Sequence, residues 1–319
     1  MPRSRLRCRP EQPDPPRGPT GQPKRIPSNG IEIEVDDQGP PGGEPVLLIM
    51  GLGMQLIAWP DELVQQLVAR GFRVLRIDNR DAGLSTQFDH AGMPNLAWAT
   101  LRYAMYLPVP APYGVADMAA DALGVLDALG LPAVHVCGAS MGGMIAQHLA
   151  ARHPQRVKSL TLMMTTTGAR RLPQARPHVR RALMSRPDGR SEEAVIAHLA
   201  RIYALIGSPG FPPEAERLRR RLTQSVRRAW RPAGTARQLV AIAADGDRST
   251  LVQGIRAPTR IIHGQADPLV PVQAGHDLAA RIPGAVADYV PGMGHDLPLE
   301  LLPRFADGIA ENAARNPAL

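Results

Sequence analysis

Apolar residues recur along this chain in two rhythms, and each predicts a different element. Val46–Met50 (VLLIM) is an unbroken apolar run, short enough for a strand buried on both faces. Ahead of it, Ile31, Ile33 and Val35 alternate with Glu32 and Glu34, which predicts a strand with one wet face. Pro60–Arg70 has the helical period, with Leu63, Leu67 and Val68 on one side, and Gly71 closes it. Phe72–Ile77 reads as a strand, followed by a turn-rich stretch, Asp78–Ser85. Val115–Leu129 is helical, with Met118, Ala122, Val125 and Leu129 along one face. Ala133–Cys137 predicts a strand, Met141–Arg152 a helix and Val157–Met163 a strand. Near the end come strand Pro258–His263, helix Val272–Arg281, strand Ala285–Val290 and helix Leu301–Ala310.

Strands alternating with helices of this length predict βαβ units and a mostly parallel sheet flanked by helices, an α/β fold. The alternation stops between Gly168 and about Leu239, where every element reads as helical. Ala215–Trp230 is one such helix, with Leu218, Leu222, Val226 and Trp230 facing inward and arginines elsewhere. The expected organisation is therefore an α/β core of residues 26–167 and 240–319, interrupted by a helical cap at 168–239.

Composition changes this picture in two places. The chain of 319 residues is 44% hydrophobic and 21% charged, so it can bury a core without disulfides or metals. Residues 1–27 are dense in proline and carry seven basic residues against Glu11 and Asp14. Residues 1–25 therefore read as a disordered basic tail. No apolar stretch follows these arginines, so no secretory signal is expected. The second basic block, residues 168–231, has fifteen arginines and five acids. Net charge is +8, yet Lys24 and Lys158 are the only lysines and aromatics are 4%. A nucleic-acid surface would interleave basic and aromatic residues, so no nucleic-acid partner is expected. No run of 18 apolar residues exists, so no membrane partner is expected either. Cys8 and Cys137 form neither a disulfide framework nor a zinc site, which fits a reducing, cytoplasmic compartment. No metal or other cofactor is called for, and the sequence leaves the oligomeric state open.

The candidate chemistry begins at Gly138-Ala139-Ser140-Met141-Gly142, a G-x-S-x-G string between a predicted strand and a predicted helix. That setting turns the string into a nucleophile elbow, in which a tight turn presents the serine hydroxyl at the sheet edge. A serine needs a base, and the base needs an orienting acid. His295, in Gly292-Met293-Gly294-His295-Asp296, follows one strand, and Asp267, in His263-Gly264-Gln265-Ala266-Asp267, follows another. Both fall at carboxyl ends of parallel strands, where such sheets bind ligands. Asp245, Asp247 and Asp296 are rivals for the acid, while His263 reads as a packed histidine and His276 as a surface one. A developing oxyanion needs two backbone donors. Met141 N–H follows the nucleophile, and Leu52 N–H lies in Gly51-Leu52-Gly53-Met54 after strand Val46–Met50. Met54, Trp98 and Met105 are candidate pocket residues.

Four motifs together make the chain resemble the α/β-hydrolase family from about Ile26 to Ala310. They are MGLG at Met50–Gly53, DNRDAGLS at Asp78–Ser85, GASMGG at Gly138–Gly143, and HGQADPLVP with PGMGHDLP near the end. The resemblance implies a Ser140–His295–Asp267 triad and a helical cap. MGLGMQLIAWPD and the Gly292–Pro298 stretch are most similar to the esterase branch that includes aclacinomycin methylesterase. The chain departs from many members in having Met50-Gly51 where they have His-Gly, and in the apolar stretch between Gly92 and Gly114, expected either at the pocket mouth or as an extra helix packed on the cap. The implied activity is hydrolysis of the carboxylic ester of a small to medium apolar substrate through an acyl-enzyme. Carbon–carbon bond hydrolysis and cofactor-free perhydrolysis use the same residues and remain alternatives, and a non-enzymatic ligand-binding role is a further one.

Overall fold

The structure, a computed structural model, describes residues 23–316. Its strands are β1 (Lys24–Ser28), β2 (Ile31–Gln38), β3 (Glu44–Ile49), β4 (Phe72–Ile77), β5 (Val134–Ala139), β6 (Val157–Met163), β7 (Thr259–Gly264) and β8 (Val286–Val290). They form one sheet in the order β1-β2-β4-β3-β5-β6-β7-β8. β1 and β2 are antiparallel to their neighbours, and the strands from β4 to β8 run parallel. The helices are α1 (Asp61–Ala69), α2 (Leu96–Ala104), α3 (Val115–Ala128), α4 (Met141–Arg152), α5 (Pro177–Leu183), α6 (Glu192–Ile206), α7 (Ala215–Arg228), α8 (Pro232–Asp245), α9 (Gln273–Arg281) and α10 (Leu302–Ala314).

The apolar patterns explain the layers. Val46, Leu47, Leu48 and Ile49 of β3 are all fully buried, because helices cover both sides of the sheet there. On one side Leu63, Val64 and Leu67 of α1 and Phe305 and Ile309 of α10 pack on Val46 and Leu48. On the other, Met118, Ala122 and Val125 of α3, Ile145 and Leu149 of α4 and Leu278 of α9 pack on Leu47, Ile49 and Val136. Four helices, α5 to α8, enter the chain between β6 and β7.

Four expectations need correction. The basic tail does not extend to residue 25: Lys24 and Arg25 open β1, where Ile26 and Ser28 turn inward and Pro27 sits on an edge strand that tolerates it. Residues 1–22 lie outside the described residues. β2 has no wet face at its centre, since Glu34 and Asp36 are buried and Asp36 pairs with Arg76 at 2.6 Å. Residue 239, the expected end of the helical insertion, falls inside α8, which runs on to Asp245. Trp230 is exposed, because the chain leaves the helical path at Ala229, just beyond α7. The stretch between Gly92 and Gly114 holds α2, capped by the Asn95 side chain, which accepts from Trp98 N–H at 3.0 Å. No residue of α2 is buried.

Candidate active site

Ser140 occupies the turn from β5 to α4 with φ 55° and ψ −119°. A residue with a Cβ is strained there by about 1–3 kcal/mol, a cost met only where the surroundings over-determine the backbone. They do so here. Ser140 N–H donates to Met163 O at 2.9 Å, and Ser140 O accepts from Thr165 Oγ1 at 2.7 Å and from Gly143 N at 2.9 Å. The flanking glycines are required by contact: a Cβ on Gly138 would stand 2.3 Å from Gly142 O, and one on Gly142 would stand 2.0 Å from Ile49 O.

Three side chains from three strand ends meet at this turn. Ser140 Oγ lies 3.1 Å from His295 Nε2, and His295 Nδ1 lies 2.7 Å from Asp267 Oδ2. A carboxylate only accepts, so Nδ1 carries the proton and Nε2 presents its lone pair to the serine hydroxyl. Asp267 is held in turn by Leu269 N–H and Val270 N–H, which donate to its Oδ1 at 2.9 and 2.8 Å. The loop bearing His295 is pinned through its own amide, which donates to Ile206 O at 2.7 Å at the end of α6. This arrangement can abstract a proton from the half-buried Ser140 hydroxyl and stabilise the resulting imidazolium.

The rivals lie elsewhere. Asp245 pairs with His148 at 2.8 Å and with Arg248, against α4. Asp247 accepts from Ser249 N–H at 2.8 Å. Asp296 accepts from Ser208 Oγ, and burial pushes its carboxyl above the usual range against the pull of Ser208, His295 and Arg221. His263 is fully buried and donates Nε2–H to Val270 O at 2.8 Å, and burial lowers its basicity, so it packs under Asp267 as a neutral ring. His276 is exposed, edge-on to Tyr289.

The loop after β3 lies directly on the serine, since a Cβ at Gly51 would stand 3.0 Å from Ser140 Cβ. Leu52 N–H and Met141 N–H find no acceptor among the described residues. Met54 is half-buried, with its sulfur 3.6 Å from the Tyr203 hydroxyl of α6. Trp98 and Met105 stand apart from this group: they are 51% and 59% exposed, and Trp98 packs its ring under Arg102 instead. No cluster of three or more His, Cys, Asp or Glu suited to a metal occurs among the described residues. No helix among them is long and apolar enough to cross a membrane.

The DNRDAGLS string anchors the loops beside the site. Asp78 is fully buried and accepts from Leu56 N–H at 2.6 Å, Leu84 N–H at 2.9 Å and Arg228 Nη1 at 2.7 Å. Asn79 Nδ2 donates to Met50 O at 2.8 Å. DNRDAGLS is legible as a turn-rich string, but its partners Arg228, Arg237 and Gln238 lie in the helical segment with nothing local to mark them.

The sequence model of the alpha/beta hydrolase fold matches residues 44–316. The chain is 30% identical over 295 residues to rhodomycin D methylesterase DauP of Streptomyces sp. (strain C5), covering 86% of this chain and 93% of that one. It is 29% identical over 269 residues to a 2-hydroxy-6-oxononadienedioate/2-hydroxy-6-oxononatrienedioate hydrolase of Cupriavidus pinatubonensis, covering 83% and 84%. A solved hydrolase structure from Pseudomonas aeruginosa superposes with a TM-score of 0.68 at 25% identity, covering 92% of this chain and 98% of that one.

Proposed function

The chain belongs to the alpha/beta hydrolase fold family, and from that premise we propose that it is a serine carboxylesterase whose triad is Ser140, His295 and Asp267. The observation that carries this reading is the continuous hydrogen-bonded line from the Ser140 hydroxyl through His295 to Asp267, at 3.1 and 2.7 Å. The substrate is the ester of a small to medium apolar acid. A methyl ester is favoured, as the likeness to rhodomycin D methylesterase DauP supports.

In this mechanism Ser140 Oγ attacks the ester carbonyl carbon while its proton passes to His295 Nε2. The carbonyl oxygen becomes an oxyanion, held by Leu52 N–H and Met141 N–H at the start of α4, where the helix dipole adds to the stabilisation. Collapse breaks the acyl–oxygen bond, and the alkoxide leaves as alcohol with the proton from His295. Water then attacks the acyl-enzyme, gives its proton to His295, and the second collapse releases the acid and restores Ser140. The helices between β6 and β7 serve as a cap over this site.

A fluorophosphonate probe should label Ser140 alone in the intact protein. The Ser140→Ala variant should take no label and hydrolyse no methyl ester, with its melting temperature within a few degrees of the parent. Labelling that persists in the variant would sink the assignment. Turnover of a meta-cleavage dienoate in place of every ester would move the chemistry to carbon–carbon hydrolysis on the same triad.

A further inference from the structure

Gln238 is fully buried on α8, and both ends of its amide are engaged by the core. Its Oε1 accepts from Gly53 N–H at 2.8 Å, and its Nε2 donates to Arg80 O at 2.7 Å. Thr235, one turn earlier on the same helix, lies against the same glycine: a Cβ on Gly53 would stand 2.6 Å from Thr235 Oγ1. Gly53 has φ +66°, a conformation that glycine adopts freely. We propose that Gln238 is a positioning residue that fixes the loop Gly51–Met54, and through it aims the Leu52 N–H at the reacting carbonyl. The proposal rests on the reading of that loop as half of the oxyanion hole.

Peptide planarity supplies the link. A trans peptide sets its N–H opposite its C=O. Gly51 O accepts from Met54 N–H at 3.1 Å, so the Leu52 N–H of the same peptide points away from that bond. This tight turn contains two glycines, which alone would leave its planes free to rotate. The next peptide carries Gly53 N–H, and Gln238 holds it. With Gly51 already against Ser140, the turn is fastened at Met54, at Gln238 and by contact with the nucleophile. Gln238 is itself held rigid by its helix. Gly234 lies so close to Asp81 that a Cβ would stand 2.1 Å from Asp81 O, and Arg237 forms a two-pronged pair with Asp81 at 2.8 and 2.7 Å. A helix of the inserted segment therefore carries the support for a loop of the core.

The test compares the full-length parent with its Gln238→Met variant, which keeps the side chain's length and removes both hydrogen bonds. Four quantities are read: kcat, KM, the inhibition constant of a trifluoromethyl ketone that forms a tetrahedral adduct on the serine, and the melting temperature. A mis-aimed donor acts on the transition state. The expected result is kcat lower by about 10- to 100-fold with KM within about two-fold, and ketone affinity falling in parallel with kcat/KM. Unchanged kcat, or a loss confined to KM, would overturn the proposal. So would a lower melting temperature with ketone affinity intact. Gly53→Ala disturbs the same peptide by pressing it away from α8, since its Cβ would stand against Thr235. It should show the same signature, and it decides the matter where the methionine variant does not fold. A parent protein that neither hydrolyses esters nor takes a fluorophosphonate would instead sink the esterase reading itself.

Discussion

Ser140 pays for its position with a strained backbone, and that strain is useful only if the imidazole beside it is held in one orientation. Asp267 does this holding, and its two backbone donors, Leu269 and Val270, leave it one oxygen for His295. Residues that act as a unit give non-additive losses. Ser140→Ala and His295→Ala should therefore lose similar amounts of kcat, and the double variant should be scarcely worse than either. Asp267→Asn should lower kcat by about 10⁴-fold, because an amide in that place favours the wrong imidazole tautomer. Steady-state kinetics on one p-nitrophenyl ester checks all four variants. A nearly active Asp267→Asn beside an inactive Asp245→Asn would transfer the acid's role to the wrong end of α4. The triad candidates were legible in the sequence because each follows a strand at a glycine-rich turn. Trp98 and Met105 are exposed and stand apart from the triad, and the sequence could not show this, because an apolar side chain carries no sign of whether it faces a pocket or solvent.

At the scale of elements, strands and helices buried on an apolar stripe were readable to within a residue or two, β4, α4 and β6 among them. β1 was hidden by its proline and two basic residues, since only Ile26 and Ser28 face inward. The end of the helical segment was misplaced inside α8 because the buried face of that helix mixes small apolar residues, Ala236, Val240 and Ala241, with polar ones. Arg237 and Gln238 point at the core, and the helix docks through a buried ion pair and an amide as well as through its small apolar residues. That polar docking has a pH signature. Burial alone would push the Asp81 carboxyl up. The Arg237 guanidinium, the Tyr113 hydroxyl at 2.6 Å and the Phe88 amide outweigh it, so Asp81 titrates below the usual carboxylate range. A carboxyl lowered in the folded state stabilises above its unfolded pKa, about 3.9, and that contribution fades as pH falls toward the folded value. Asp81→Asn takes its close counter-charge from the buried Arg237 and leaves it only the exposed Asp89 at 3.4 Å, which costs about 3 kcal/mol near neutrality. Urea unfolding at a series of pH values should show the gap between parent and variant narrowing from about pH 5 downward. A gap that widened there would mean that Asp81 is not ionised in the folded protein.

Across the whole molecule, the charge of the helical segment divides by what each arginine touches. On α7, Arg217 pairs with Glu62 at 2.5 Å, Arg221 donates to Ala58 O at 3.2 Å, and Arg228 reaches Gln55 and Asp78, both at 2.7 Å. These arginines fasten the segment to α1 and to the loops after β3 and β4. Arg219, Arg220 and Arg227 face outward, and Arg227 pairs with Glu192 at 2.9 Å. Exposed pairs of this kind contribute little, being screened by water and salt. A substrate clamp would behave differently, because a two-pronged bond from a guanidinium to a carboxylate is strong and specific. Arg219→Ala, Arg220→Ala and Arg227→Ala should therefore each change kcat/KM on a neutral p-nitrophenyl ester by less than about two-fold. The same three variants belong in an assay with an anionic ester, since a neutral substrate cannot reveal a clamp. A loss of about ten-fold or more confined to the anionic substrate would make the outer arginines recognition residues and the natural substrate an acid. Arg228→Ala is the inward counterpart. It strips the counter-charge from a fully buried Asp78, so it should cost about 3 kcal/mol in urea unfolding whatever the charge of the ester. The two outcomes together separate arginines that hold the segment on the core from those that only face solvent.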